Sequence, residues 1–432
     1  MGLLLGRRFG GLFWAQALSA FNDNAVKNAL VLMIAYQGGA AARSAQILIP
    51  LAGGLFMLPF FLCSAAAGRL ADEHDKAWLI RLIKLSEIPL MLLAAAGVLA
   101  GSTTVLLVLL CAMGVEAALF GPLKYAILPD LLAPRELLLG NALVEAGTFL
   151  AILFGTIAGV LIAGRHGAAI VAGLIVAVAL AAWAASLMIP PTGAAAARGE
   201  ERRSNLFADT ARVIRAAARD KVPFRAMLGI SWFWLAGAVY LSQFPGYVRF
   251  NLGGAEAVVT LFLTVFSVGI ALGSLACSRI LGGRVSARTV PWGALGIGLF
   301  SIDLWLASPQ AAAVGPLLGP GAFVAVPAHW RILADLFGIS VSGGVFIVPL
   351  YALLQATTRR AERARAIAAN NVVNAAAMVL SAIAVIALAA AGLGIPGLFL
   401  LTGSATIGVA FWSRHIMPGF AAAPRHLDER AG

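Results

Sequence analysis

The chain has 432 residues, 61% of them hydrophobic and only 12% charged, with a mean hydropathy of +0.93. That is more apolar surface than a soluble core of this size buries, so the composition excludes a water-soluble globular protein and marks an integral membrane protein. The net charge of +12 does not indicate a nucleic-acid binder, because the basic residues recur as short clusters between apolar runs and never gather into one patch with interleaved aromatics.

Apolar runs broken by turn or charge clusters predict about twelve transmembrane helices, at roughly 11–37, 45–67, 78–99, 103–127, 139–163, 168–189, 223–248, 257–281, 287–307, 328–356, 366–391 and 394–413. Arg7-Arg8 runs straight into a full-length span, which reads as a topogenic flank and not as a cleaved signal. Cationic residues then recur on one side: Arg69, Lys76, Arg81 and Lys84, then Arg135, most of 198–225, Arg279, Arg284 and Arg288, Arg359 to Arg365, and Arg414 onward. The opposite side keeps Arg43, Arg165, Arg249 and Arg331. This bias places both termini in the cytoplasm. The expected organisation is a six-helix bundle over 1–190, a basic cytoplasmic linker over 191–222 with a helix-like piece around Leu206 to Arg219, and a second six-helix bundle over 223–432. Two such bundles are the architecture in which a midplane site alternates between the two faces.

The first span carries the most expensive residues. Phe21-Asn22-Asp23-Asn24-Ala25-Val26-Lys27-Asn28 puts five polar side chains near mid-membrane, with Asp23 about 18 Å from the start of the run at 1.5 Å per residue. Asp23 and Lys27 are four residues apart and share a face. Two readings fit: an ion pair that fixes helix packing, or a polar patch on a substrate cavity, which the further stripe of Asn24 and Asn28 favours.

Between the second and third spans, Gly68-Arg69-Leu70-Ala71-Asp72, with Lys76, Arg81 and Lys84 beyond, resembles the loop motif of the major facilitator superfamily. Gly68 allows two helix ends to approach, and Asp72 can pair with cations in one conformation only, with Arg81 among the gating residues. A weaker counterpart, Cys277 to Arg284, lacks the acidic residue. The fourth span ends in Phe120-Gly121-Pro122-Leu123-Lys124-Tyr125, where Pro122 loosens the last turn and Lys124 either snorkels to the interface or binds. Glu116 and Glu145 lie deeper and need partners.

The seventh span runs from Ser231-Trp232-Phe233-Trp234 through Tyr240, Gln243, Pro245 and Tyr247 to a snorkelling Arg249. Pro349, Tyr351 and Gln355 lead into the basic loop, and Asn370, Asn371 and Asn374 open the eleventh span with amides suited to interhelical bonds or to a phosphate and glycerol contact. Asp303 and Asp335 read as structural or gating groups at the outer ends of spans nine and ten. Cys63, Cys111 and Cys277 sit in apolar stretches without a CxxC or a neighbouring His, so neither a metal site nor a cofactor is expected. No GxSxG, HExxH or Walker loop is present, which argues against an enzyme or an ATP-driven pump.

Four blocks, Ser19 to Asn24, Pro122 to Leu128, Gly140 to Ala146 and Val348 to Gln355, resemble the bacterial lysophospholipid transporter family of the major facilitator superfamily in their order along the chain. Phe21 to Asn28 together with Ala364 to Asn371 is more similar to the form fused to acyltransferase and acyl-carrier-protein synthetase domains. The resemblance implies inner-membrane transport of lysophosphatidylethanolamine and related lipids from outer to inner leaflet, for reacylation by a cytoplasmic acyltransferase system. It carries the family's embedded acid onto Asp23 and its fourth-span lysine onto Lys124. Where the family places a basic residue in the seventh span this chain has Leu241, so Lys27 becomes the local counter-charge. The expected substrate groups are then Asp23, Asn24, Lys27, Lys124, Glu145, Tyr240, Gln243, Tyr351, Gln355, Asn371 and Asn374, and the gating groups Gly68, Asp72, Arg81 and Pro122. Two rival readings are a proton-coupled exporter of hydrophobic or cationic drugs and a membrane anchor for acyltransferase partners.

Overall fold

The computed structural model describes residues 2–36, 42–165, 168–193, 211–212, 214–215, 218, 221–309 and 315–416; the helix-like piece expected around Leu206 to Arg219 lies almost wholly outside them. Among the described residues, twelve long helices follow in order: α1 Gly10–Tyr36, α2 Ala42–Glu73, α3 Lys76–Leu99, α4 Thr103–Ala126, α5 Leu137–Arg165, α6 Ala168–Leu187, α7 Lys221–Gly246, α8 Glu256–Ile280, α9 Val290–Ala307, α10 Pro327–Thr357, α11 Arg363–Ala390 and α12 Ile395–Ile416. Eleven contain described stretches long and apolar enough to cross a membrane. The remaining one, α1, has 27 residues and is diluted by its polar stripe. These helices follow the twelve apolar runs to within a few residues, so the all-α membrane fold is read correctly from hydropathy alone.

Helix ends obey local rules. Asp75 caps α3 by accepting the Trp78 N–H at 2.7 Å, and Ser102 caps α4 through Val105 at 3.4 Å. Pro89, Pro122, Pro245 and Pro349 lie inside α3, α4, α7 and α10. After Pro245 the chain widens into a π-helical turn, Tyr247–Asn251, which carries the exposed Arg249.

The helices form two compact units, one of Met1–Ala133, Leu150–Phe224 and Gln355–Ala375, the other of Pro134–Phe149, Arg225–Leu354 and Ala376–Gly432. In the first unit, α1, α3, α4 and α6 close around Ala25, Ala29 and Leu30, Met91 and Ala94, Leu110 and Met113, and Ile175 and Ala179. Small residues bring backbones together where lipid supplies no hydrophobic drive. A Cβ at Gly155 of α5 would strike the Phe21 carbonyl oxygen of α1, and one at Gly159 would lie 2.5 Å from that of Ala25. The second unit is built on aromatics. Tyr240 stacks on Phe399 at 5.6 Å, Tyr247 meets Phe399 edge-on at 5.2 Å, and Phe244 contacts Phe262 and Phe266 at 5.8 and 5.7 Å.

Candidate functional site

Asp23 stands at the midpoint of α1 and is half-buried. The polar stripe around it is self-bonded: Asn24 Nδ2 donates to the Ala20 carbonyl at 2.8 Å and Asn24 Oδ1 accepts from Lys27 Nζ at 3.1 Å. Asn28 Nδ2 donates to the Asn24 carbonyl at 2.8 Å and to Thr156 Oγ1 of α5 at 3.2 Å. Lys27 therefore spends a hydrogen bond on Asn24 and acts on Asp23 through space.

Asp23 also lies in the field of Glu116, Glu87 and Lys84, which form a cluster buried between α1, α3 and α4. Lys84 Nζ is 2.6 Å from Glu116 Oε1 and 3.1 Å from Glu87 Oε2, lies 3.9 Å over the Phe120 ring, and donates to Ser19 Oγ. Ser19 in turn donates to Glu87 Oε2 at 2.5 Å, while Asn22 Nδ2 donates to Glu87 Oε1 at 3.3 Å and to the Ile175 carbonyl of α6 at 3.0 Å. Lys84 was assigned above to the cationic flank after the second span. That assignment is corrected here, since Lys84 is 0% exposed and two turns inside α3. It supplies the partner that Glu116 needs, and Lys124 instead places its ammonium 4.9 Å over the Tyr125 ring. One sequence signal pointed this way: Glu87 and Glu116 are the sole acidic residues of α3 and α4.

A second charged assembly joins the α2–α3 turn to the start of α11. Asp72, almost fully buried, accepts from Arg365 Nε at 3.0 Å and from the backbone N–H groups of Ala364 and Arg365 at 3.2 and 3.4 Å, capping α11. Gly68 makes the approach possible, because a Cβ there would lie 2.7 Å from that of Ala368 and 2.9 Å from the Arg365 Cα. Asp130, which sequence reasoning passed over, takes Lys76 at 3.0 Å, Arg360 at 3.2 Å and Arg363 at 3.6 Å. Arg81 donates to the Ile189 carbonyl at 2.5 Å, at the end of α6. Burial alone would raise the Asp75 carboxyl. The N–H groups of Trp78, Thr192 and Gly193, at 2.7, 2.6 and 2.5 Å, outweigh it and hold Asp75 below the usual carboxylate range.

The expected site residues divide between the units. Asp23, Asn24, Lys27, Lys124, Gln355, Asn371 and Asn374 belong to the first, along with Gly68, Asp72, Arg81 and Pro122; Glu145, Tyr240, Gln243 and Tyr351 belong to the second. In the first, the Asn371 amide packs against Gly121, where a Cβ would lie 2.8 Å from its Nδ2. Gln355 is fully buried, and its carbonyl accepts from Arg363 Nε at 3.0 Å. In the second, Glu145 is fully buried, Tyr240 bonds Ser301 at 2.6 Å, Tyr351 accepts from Trp234 Nε1 at 3.1 Å, and Gln243 donates to Ser242 at 3.2 Å. Asp303 pairs with Arg331 on an exposed edge.

This frame of apolar helices, with charged clusters at mid-helix and at helix ends, fits a membrane transporter, and residues 12–338 match the family description Major Facilitator Superfamily. The chain belongs to that superfamily and is a membrane-spanning transporter, not an enzyme. Within it the chain is 30% identical over 387 residues to the Lysophospholipid transporter LplT of Cronobacter sakazakii (strain ATCC BAA-894), covering 88% of each chain. It is 29% identical over 408 residues to the protein of the same name from Enterobacter sp. (strain 638), covering 93% of this chain and 94% of the relative. Among solved structures it is similar to the human organic anion transporter MFSD10 (TETRAN), with a TM-score of 0.71 at 14% identity over 94% of this chain and 98% of that one. A bacterial homologue of the iron transporter ferroportin in the outward-facing state gives 0.67 at 14% identity, over 97% and 100%. At such identities these structures speak for the fold alone.

Proposed function

We propose that the chain moves lysophospholipids such as lysophosphatidylethanolamine across the bacterial inner membrane, from outer to inner leaflet, with both termini in the cytoplasm. The observation that carries this is the half-buried charged stripe Asp23, Asn24 and Lys27 at the centre of an apolar helix, in a chain whose relatives over nearly its whole length are named for lysophospholipid transport. A lysolipid presents an ammonium, a phosphate and one acyl chain, and this surface offers each a counterpart. Asp23 meets the ammonium, Lys27 or Lys124 the phosphate, and the apolar helix faces the chain. Glu145, Tyr240, Gln243, Tyr351, Asn371 and Asn374 complete the proposed set in the two halves.

Alternation then works as rocking of the halves 1–190 and 223–432, with Asp72 and Asp130 holding one state. The partner on the cytoplasmic side is an acyltransferase and acyl-carrier-protein synthetase system, fused or separate. Purified protein in liposomes at equal pH on both sides should flip lysophosphatidylethanolamine, and Asp23→Asn should cut the rate by on the order of tenfold or more. Flipping that needs a proton gradient, or that Asp23→Asn leaves intact, sinks this reading in favour of a proton-coupled exporter.

A further inference from the structure

The inward face of α1 is small and apolar over much of its length, with Ala15, Val26 and Ala29 fully buried. Two polar residues interrupt it. Ser19 Oγ donates to Glu87 Oε2 at 2.5 Å and Asn22 Nδ2 to Glu87 Oε1 at 3.3 Å, so each oxygen of one buried α3 carboxyl takes a donor from α1. Ser19 and Asn22 are three residues apart and share a face. Asn22 Nδ2 also donates to the Ile175 carbonyl of α6 at 3.0 Å, so two helices hold the same amide. The carboxyl is itself held by Lys84 Nζ at 3.1 Å, which is anchored on Glu116 Oε1 of α4 at 2.6 Å. Small apolar residues packed within a membrane admit neighbouring rotations of a helix, because lipid supplies no drive for one over another; buried hydrogen bonds of fixed direction do not. Turning α1 by one residue step, about 100°, would take Ser19 and Asn22 off Glu87. It would also carry away Asp23, Asn24 and Lys27, which with Ala20 lie on the adjoining half-buried face. Stability alone does not account for such an arrangement, since apolar residues of similar volume in place of a buried ion pair are often neutral or stabilising.

We propose that Glu87 is a positioning residue: it fixes the rotation of α1 about its own axis and thereby presents the face of Asp23, Asn24 and Lys27 to the substrate. Glu87 acts through Ser19 and Asn22 and touches no substrate group itself. What the face binds is taken from the transport reading above; how the face is held rests on the clamp alone.

Glu87→Gln keeps the size of the side chain and the contact of Lys84 with Glu116, but its amide nitrogen cannot accept, so one of the two α1 bonds is lost. For the full chain in liposomes, the lysophosphatidylethanolamine concentration that gives half-maximal flipping should rise about tenfold, with the maximal rate and the thermal midpoint close to wild type. A second readout does not depend on transport. In a background with Cys63, Cys111 and Cys277 replaced, Ala20→Cys should change its rate of reaction with a water-soluble maleimide by about threefold or more when Glu87→Gln is added. Ser19→Ala should act in the same way, and the two substitutions together should do no more than either alone, because they open one clamp. Unchanged labelling, or an unchanged half-maximal concentration in a protein that flips the lipid, makes Glu87 a packing group and overturns the proposal. If the wild type flips no lysolipid but the labelling still shifts, the clamp stands and only the transport reading falls. Should Glu87→Gln fail to fold, Ser19→Ala decides: a shift in labelling upholds the clamp, and no shift overturns it.

Discussion

Lys84 is held by two carboxylates, a serine hydroxyl and an aromatic face, with no exposed surface. Removing it leaves Glu87 and Glu116 buried without a cation, a change of the kind that costs about 3–5 kcal/mol. Lys84→Met should therefore lower the thermal midpoint in detergent by many degrees, and adding Glu116→Gln should restore part of the loss, because the two positions are coupled. A Lys84→Met protein as stable as wild type would remove the cluster from any account of this fold. The sequence displayed Asp23 plainly, since a carboxylate in the middle of an apolar run is anomalous by itself. Lys84 was hidden for a physical reason: it follows Lys76 and Arg81 at helical spacing and so continues a cationic flank. Its true depth is decided by Glu116, 32 residues away on another helix. Asp130 was equally hidden, because its three cations arrive from α3 and from the start of α11.

At the scale of elements, hydropathy locates helices but not their seams. The seam between α1 and α5 consists of bare backbone, Gly155 against Phe21 and Gly159 against Ala25, with Asn28 bonded to Thr156 beside it. It fixes the face on which Asp23 stands. Gly155→Leu has no flexible neighbour to displace, only a carbonyl oxygen, so it should destabilise the protein by about 1–3 kcal/mol or more and impair flipping as well. Gly173→Leu on α6, where an added Cβ meets nothing within 4 Å, is the matched control and should melt like wild type. Equal melting of the two variants would show that the seam is not tight. Gly155 and Gly159 lie one helical step apart, but that spacing does not say which helix packs there, so the seam emerges only in the folded chain.

At the scale of the whole molecule, the rocking proposed above would have the Asp72 and Asp130 ties part and re-form. Asp72→Asn removes both the ion pair to Arg365 and the charge that caps α11, so the parted state should gain population by on the order of tenfold. Ala368, pressed against Gly68, reports on it. In a background with Cys63, Cys111 and Cys277 replaced, Ala368→Cys should react faster with a water-soluble maleimide once Asp72→Asn is added, and an unchanged rate would show that the tie does not govern access. The three cations around Asp130 add a graded property. Arg360 is 53% exposed, Arg363 12% and Lys76 0%, so dissolved ions screen them unequally. Rising ionic strength should therefore loosen this knot from its rim inward, Arg360 first and Lys76 last, which makes the tie softer in brine.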